Sequence, residues 1–329
     1  MRYTNGGVPF IQTPLENFSD LNDFPFASHT IEIDGLQMSF VDDGPSDAPV
    51  VLMVHRMPTW SYLYRHMITR FSAAGFRCIA PDHIGFGRSD KVTDPNWYNI
   101  ARHTTNLRQL ILELDLTNVT LVVQDWGGPI GLAQYVEMPE RFSRLVIMNT
   151  WLHHDSYEYS PGILQWIDQN MPGGIFRDNI PERFNWGTLM AMSTGRATPQ
   201  NSLIPLLSGD TPEYSPEALA IKIAYDAPFA GLGEEGVSGP RRFPLSIPAN
   251  GLNQDNAKTQ QEQFGIVNST TLPVHFVWGI SDNVFTKDWG LRWHSLIPHS
   301  TWHEINAGHF LQDTHGTAIA EHIIQHTSI

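Results

Sequence analysis

The chain reads as an α/β protein in which one mostly parallel, doubly wound sheet is interrupted by a long helical insertion. Three observations predict this. The runs "VVLMVH", "FRCIAP", "NVTLVVQ", "RLVIMNT" and "PVHFVWG" are short and nearly continuously apolar, as strands covered by helices on both faces must be. Segments of helical length and pattern separate the first four, Ala101 to Asp115 being the clearest, which gives the alternation of right-handed βαβ crossovers. That alternation stops after Thr150 and resumes only at Pro273.

Taken in order, "HTIEIDG" and "LQMSFVDDG" read as a hairpin ahead of the parallel strands, the second segment alternating apolar and polar residues and ending on the turn signal "DDG". "GFGRSD", Gly85 to Asp90, is only G-x-G-x-x-D and no helical pattern opens on it, so it reads as a turn rather than a phosphate loop. From Trp151 to about Asn250 the chain is rich in Pro, Gly, Trp and Met, with helical stretches such as "PEALAIKIAYD". The expected division is a core of residues 1–150 and 251–329 and a helical cap of residues 151–250. No internal repeat or low-complexity tract is present.

With 329 residues and 41% hydrophobic content, the chain can bury a large core. A formal net charge of -14, with no basic cluster beyond Arg241 and Arg242, argues against nucleic acid and anionic membrane surfaces as partners. No apolar run reaches the roughly eighteen residues of a membrane span. The start has neither the basic region nor the apolar run of a signal peptide, so a cytoplasmic location is expected. The lone Cys78, in "FRCIAPD", has no partner for an intramolecular disulfide and reads as a buried core thiol. H-E-x-x-H, C-x-x-C and P-loop patterns are all absent, and no metal or organic cofactor is expected.

The chemistry is concentrated at "LVVQDWGGPIG", Leu121 to Gly131, which reads as strand, tight turn and helix. Such a corner carries the nucleophile of an α/β-hydrolase, normally a serine in G-x-S-x-G. Here Asp125 occupies it, with Gly127 letting the helix start at once. Taken alone, an aspartate after a strand is also an ordinary N-cap. The chain has 15 histidines, and position singles out His309, in "NAGHFLQD" between the last strand "TWHEI" and the final helix. Asp282, in "WGISDNVF", lies just beyond the preceding strand, so nucleophile, acid and base follow in the chain order of that fold. The loop "VHRMPTWSYLYRHM" offers the Met57 N–H to an oxyanion hole, the other donor being the Trp126 N–H. "AMSTG", around Ser193, follows a helical pattern instead of a strand and is discounted.

An aspartate is already ionised at neutral pH and needs no base to displace a good leaving group from an sp³ carbon, while the resulting ester needs His309 to activate water. Two electrophiles fit: a carbon bearing halogen or a strained epoxide. An epoxide oxygen must be protonated, and Tyr157, Tyr159, Tyr214 and Tyr225 keep that alternative open. A halide needs only weak donors in an apolar pocket, such as the Trp126 indole with a second indole from Trp166 or Trp186. A third reading is a non-catalytic ligand-binding member of the fold.

These residues resemble the haloalkane dehalogenases, most closely the subgroup with an Asp–His–Asp triad and two halide-binding tryptophans. "PTWSYLYR", "APDHIGFGRSDK", "VVQDWGG" and "NAGHFLQD" look like its signatures, "AYDAPF" and "RRFP" look like its cap, and with "NFSDLNDFPF" the likeness spans nearly the whole chain. The resemblance implies Asp125 as nucleophile, His309 as base, Asp282 as its partner, Trp126 as one halide donor and Trp166, ahead of Trp186, as the second. It implies a small apolar halogenated substrate, halide and water as the molecules handled, by a monomer or small homo-oligomer. One departure stands out. The family has His-Gly where this chain has His55-Arg56, so that Arg56 needs either a strained backbone or a side chain projecting into the site. Met57 replaces the asparagine some relatives use as halide donor, which suits the two-tryptophan arrangement.

Overall fold

Eight strands make the central sheet: β1 (His29–Ile33), β2 (Leu36–Asp43), β3 (Val50–Val54), β4 (Arg77–Pro81), β5 (Val119–Asp125), β6 (Phe142–Thr150), β7 (Val274–Gly279) and β8 (Thr301–Ile305). They belong to a computed structural model that describes residues 2–21, 23–183, 185–249 and 253–326. The spatial order is β8-β7-β6-β5-β3-β4-β2-β1. β1 and β2 form the expected hairpin, and β2 lies antiparallel to β4. From β4 across to β8 every neighbouring pair is parallel. The five apolar runs of the sequence are β3 to β7.

The longer helices are α1 (Arg65–Ala73), α2 (Ile100–Glu113), α3 (Gly127–Glu137), α4 (Pro161–Asn170), α5 (Trp186–Ser193), α6 (Pro216–Asp226), α7 (Gln254–Asn268), α8 (Lys287–Ser295) and α9 (Leu311–Gln325). Successive strand residues point to opposite faces, and the core divides accordingly. Leu52, Val54, Leu121 and Val123 meet Leu107 and Leu110 of α2 and Ile130 of α3 on one face. Val51, Met53 and Val122 meet Met67 and Phe71 of α1 and Leu311 and Ile319 of α9 on the other. Every residue of β3, β5 and β7 is buried, which is why those runs carry no polar alternation.

Two smaller expectations hold. "GFGRSD" is a turn, closed by the Gly85 N–H on the Asp90 carbonyl at 2.8 Å, with positive φ at Gly85 and Gly87. Cys78 is a buried free thiol. Between β6 and β7 come α4, α5, α6 and α7 with shorter helical turns, and the expected boundary at 250–251 falls outside the described residues. One of the ties between this stretch and the sheet-bearing part is a buried carboxylate. Asp313, near the start of α9, accepts from Arg65 Nη1 of α1 at 2.9 Å, Arg196 Nη1 at 2.7 Å and Tyr225 Oη of α6 at 2.6 Å. Burial by itself would raise the Asp313 carboxyl, but the two guanidinium groups and the tyrosine outweigh it and hold it below its usual range.

Candidate active site

β5 ends on Asp125 in the left-handed region, φ 51°, Trp126 returns to φ -59° and α3 begins at Gly127. A non-glycine residue held there costs about 1–3 kcal/mol, which packing around the corner must offset. The glycines make that packing possible. A Cβ at Gly127 would lie 2.3 Å from the Val54 carbonyl oxygen of β3, and one at Gly128 would lie 1.9 Å from Thr150 Oγ1 of β6.

Two groups meet the Asp125 carboxylate. Arg56 Nε stands 3.0 Å from Oδ1 and His309 Nε2 stands 3.3 Å from Oδ2, with the Arg56 and Asp125 side chains only 7% and 6% exposed. Burial alone would raise the Asp125 carboxyl, but the Arg56 charge first, and then His309 and the Trp126 N–H, hold it below the usual carboxylate range. The nucleophile of the sequence reading is therefore an ionised carboxylate in a dry corner.

His309 follows β8, and its Nδ1 lies 2.7 Å from Asp282 Oδ2, which assigns the Nδ1 proton to that bond. Asp282 is fixed in turn. Its Oδ2 also accepts from Asn149 Nδ2 at 2.9 Å, and its Oδ1 accepts the Val284 N–H at 2.7 Å. Gln124 Nε2 donates to the His309 carbonyl at 3.0 Å and sits 3.4 Å from His309 Nε2. Burial would lower the imidazole, but the Asp282 charge and the bonds to Asp125 and Asp282 overcome it, and overcome Arg56, leaving His309 above the ordinary histidine value. The structure thus brings Asp125, His309 and Asp282 together.

The loop after β3 resolves the alternative posed by Arg56. The His83 N–H donates to His55 Nε2 at 2.9 Å, so His55 Nδ1 carries the proton and donates to the Arg56 carbonyl at 2.7 Å; Thr59 Oγ1 donates to the same oxygen at 2.9 Å. Arg56 has no left-handed φ, and its side chain projects into the site, the guanidinium 4.7 Å from the centre of the Phe310 ring. Met57, next in the loop, is fully buried.

Above this constellation lies a cavity of about 210 Å³ lined by Arg56, Asp125 and His309 from below and by Trp126, Trp151 and Trp166 among its mainly apolar walls. An apolar cavity of about 150 Å³ holds benzene, so a short alkyl chain with one heavy substituent fits. Of the two candidates for the second indole, Trp166 lines the cavity and Trp186 does not. Sequence reasoning missed Trp151. It follows β6 directly, packs edge-on to Trp126 with ring centres 4.7 Å apart, and has a buried indole N–H with no acceptor among the described residues. Asn149 and Gln124 were missed as well; their signal was a polar residue at the end of an otherwise apolar strand. None of the cavity residues is a tyrosine. Tyr225 Oη is committed to Asp313, Tyr159 Oη to the Pro248 carbonyl at 3.0 Å, and Tyr214 Oη to Thr188 Oγ1 at 3.1 Å.

Among the described residues no cluster of His, Cys, Asp and Glu could hold a metal ion, and no helix is long and apolar enough to cross a membrane.

Comparison with known proteins agrees with this geometry. Residues 49–316 match the family model of the alpha/beta hydrolase fold. A haloalkane dehalogenase of Psychrobacter cryohalolentis is 33% identical over 97% of this chain and 98% of its own. A cis-3-alkyl-4-alkyloxetan-2-one decarboxylase of Shewanella oneidensis is 29% identical over 91% of this chain and 87% of its own. Among solved structures, the tetrameric haloalkane dehalogenase of Paraglaciecola agarilytica superposes with a TM-score of 0.82 at 31% identity, covering 98% of this chain and 100% of that one. Fold, chain order of the site and full-length similarity agree: the chain belongs to the α/β-hydrolase fold family and, within it, to the haloalkane dehalogenases.

Proposed function

We propose that the protein hydrolyses haloalkanes to an alcohol, a halide ion and a proton through an alkyl ester on Asp125. The observation that carries this reading is an ionised aspartate at the floor of an apolar cavity with a histidine–aspartate pair 3.3 Å away. Asp125 attacks the halogen-bearing carbon, the carbon–halogen bond breaks and the halide leaves toward the indoles. His309, held by Asp282, then takes a proton from water attacking the ester carbonyl, and the Met57 and Trp126 N–H groups face the oxyanion.

Trp126 with Trp166 forms the halide site in this reading, and the unpartnered Trp151 N–H is a third donor beside it. Residues 151–250 serve as the cap, supplying Trp166 and most of the upper wall. The epoxide alternative lacks its acids, because no tyrosine reaches the cavity. A cytoplasmic monomer or small homo-oligomer, free of metal and organic cofactor, completes the proposal.

The test is halide release from 1-bromobutane and 1,2-dibromoethane. Turnover that disappears in Asp125→Ala supports the proposal. Carbon dioxide release from a dialkyl oxetan-2-one without any halide release would move the assignment to the reaction named for the Shewanella relative.

A further inference from the structure

The Arg56–Asp125 contact has the wrong sense for the first chemical step and the right sense for the second. A guanidinium 3.0 Å from the carboxylate stabilises its negative charge and so weakens it as a nucleophile. The pairing is nevertheless one-sided. Arg56 Nε meets only Oδ1, which is sealed from the cavity, and the N–H is not aligned on that oxygen, so neither atom completes a hydrogen bond among the described residues. The exposure that the Asp125 side chain retains therefore lies away from Oδ1, and the oxygen left to meet a substrate carbon is Oδ2.

Once Oδ2 has displaced the halide, Oδ1 is the carbonyl oxygen of the alkyl ester and the carboxylate charge is gone. Arg56 is then a buried cation that has lost its nearest counter-charge, with the Phe310 ring face 4.7 Å away and Asp282 beyond. Water adds to Cγ and gives its proton to His309 Nε2, while the C=O electron pair moves onto Oδ1. The new oxyanion forms beside that cation. Collapse restores the carbonyl, breaks the bond between Cγ and the alkyl oxygen, and passes the imidazolium proton to the departing alcohol.

Resting on the dehalogenase reading, we infer that Arg56 is a catalytic residue of the hydrolytic half-reaction, a cation that stabilises the oxyanion forming on Oδ1. Uncharged oxyanion donors are worth roughly a hundredfold to a thousandfold in rate, and a cation acting at low dielectric belongs at or above the lower figure. The arginine therefore trades a slower attack on carbon for a faster release of the ester.

The test separates the two steps in single turnover with 1-bromobutane, following bromide by rapid quench and the alkyl-enzyme by intact mass. Arg56→Leu, checked for native folding by circular dichroism, is expected to release its bromide at least as fast as the parent and to hold the adduct, with decay slowed roughly a hundredfold. Arg56→Lys, which keeps a cation without the planar fork, is expected to recover at least tenfold of that loss. Adduct decay at the parent rate in Arg56→Leu overturns the inference, as do equal decay rates in the Leu and Lys variants. If the Leu variant does not fold, Arg56→Lys and Arg56→Gln make the same comparison of charge. A parent enzyme that releases no bromide at all would instead overturn the dehalogenase reading, which is a different result.

Discussion

Replacing His309 by phenylalanine tests the division of labour between the two carboxylate-centred steps. Asp125 would stay ionised in the variant, because Arg56 remains 3.0 Å from it, so attack on carbon survives. Hydrolysis of the ester would not. A general base contributes about a hundredfold to ten-thousandfold, or roughly 3–5 kcal/mol at 1.36 kcal/mol per tenfold. The structure points to the upper end of that range, because nothing stands by to replace the imidazole. Arg56 cannot accept a proton, and the Gln124 amide beside Nε2 can hold a water but not deprotonate it. His153 and His154 do not line the cavity: the first is bonded to Tyr159 and the second is stacked on Phe264 with ring centres 4.0 Å apart. The expected outcome with 1-bromobutane is one bromide per active site and then silence, with one butyl group added to the protein and mapped by digestion to the peptide that holds Asp125. Sustained turnover, a burst without an adduct, or an adduct on another residue would refute the reasoning.

Three further outcomes follow from the same site. Halide release should keep its rate as pH falls through the neutral range, since the Asp125 carboxyl is held low, whereas adduct hydrolysis should be present above the raised His309 titration and lost as pH falls through it; one shared acid limb in stopped-flow profiles would contradict this. Trp166→Phe and Trp151→Phe should each weaken bromide binding about tenfold or more, the worth of a roughly 1.5–3 kcal/mol hydrogen bond to an ion, while Trp186→Phe should not, as read by fluorescence quenching corrected for the missing indole. Asn149→Leu strips a donor from Asp282 and the acceptor of the Gly279 N–H at 2.7 Å, so about 1–3 kcal/mol of stability and a larger share of kcat than of KM should be lost; an unchanged melting temperature would remove Asn149 from the support of Asp282.

The sheet was legible because a strand buried on both faces writes an unbroken apolar run, and five such runs named five of the eight strands. That Asp125, Asp282 and His309 meet was legible for a related reason. Asp125 closes a parallel strand and Asp282 and His309 stand a few residues beyond two others, at the C-terminal ends of the strands. What could not be read depends on directions that one-dimensional spacing does not carry. The family resemblance put Trp166 ahead of Trp186, but spacing alone does not show that α4 turns the first toward the cavity while the second is buried elsewhere. Trp151 looked like the first residue of the insertion, and only the T-shaped packing on Trp126 makes it part of the site. The cap tyrosines suggested acids, but none of them lines the cavity, and the hydroxyls of Tyr159, Tyr214 and Tyr225 are committed to other partners. Arg56 was visible as an anomaly, but its placement, a cation laid against the Asp125 carboxylate, was not.

The carboxylate of Asp313 has a bearing on how substrate enters. By gathering Arg65, Arg196 and Tyr225 around one buried anion, it rivets α6 and the chain after α5 to α1 and α9, and salt screens such an interior cluster poorly. Lifting the insertion away at that margin would strand two cations and an anion, so the margin behaves as a fixed wall. If substrate passes where Ile163, Trp166 and Gln169 border the cavity, α4 is the side that must give way. The size of molecule admitted would then be set by how those three side chains swing aside, and substitutions along α4 should reshape the range of substrates without loosening the triad beneath.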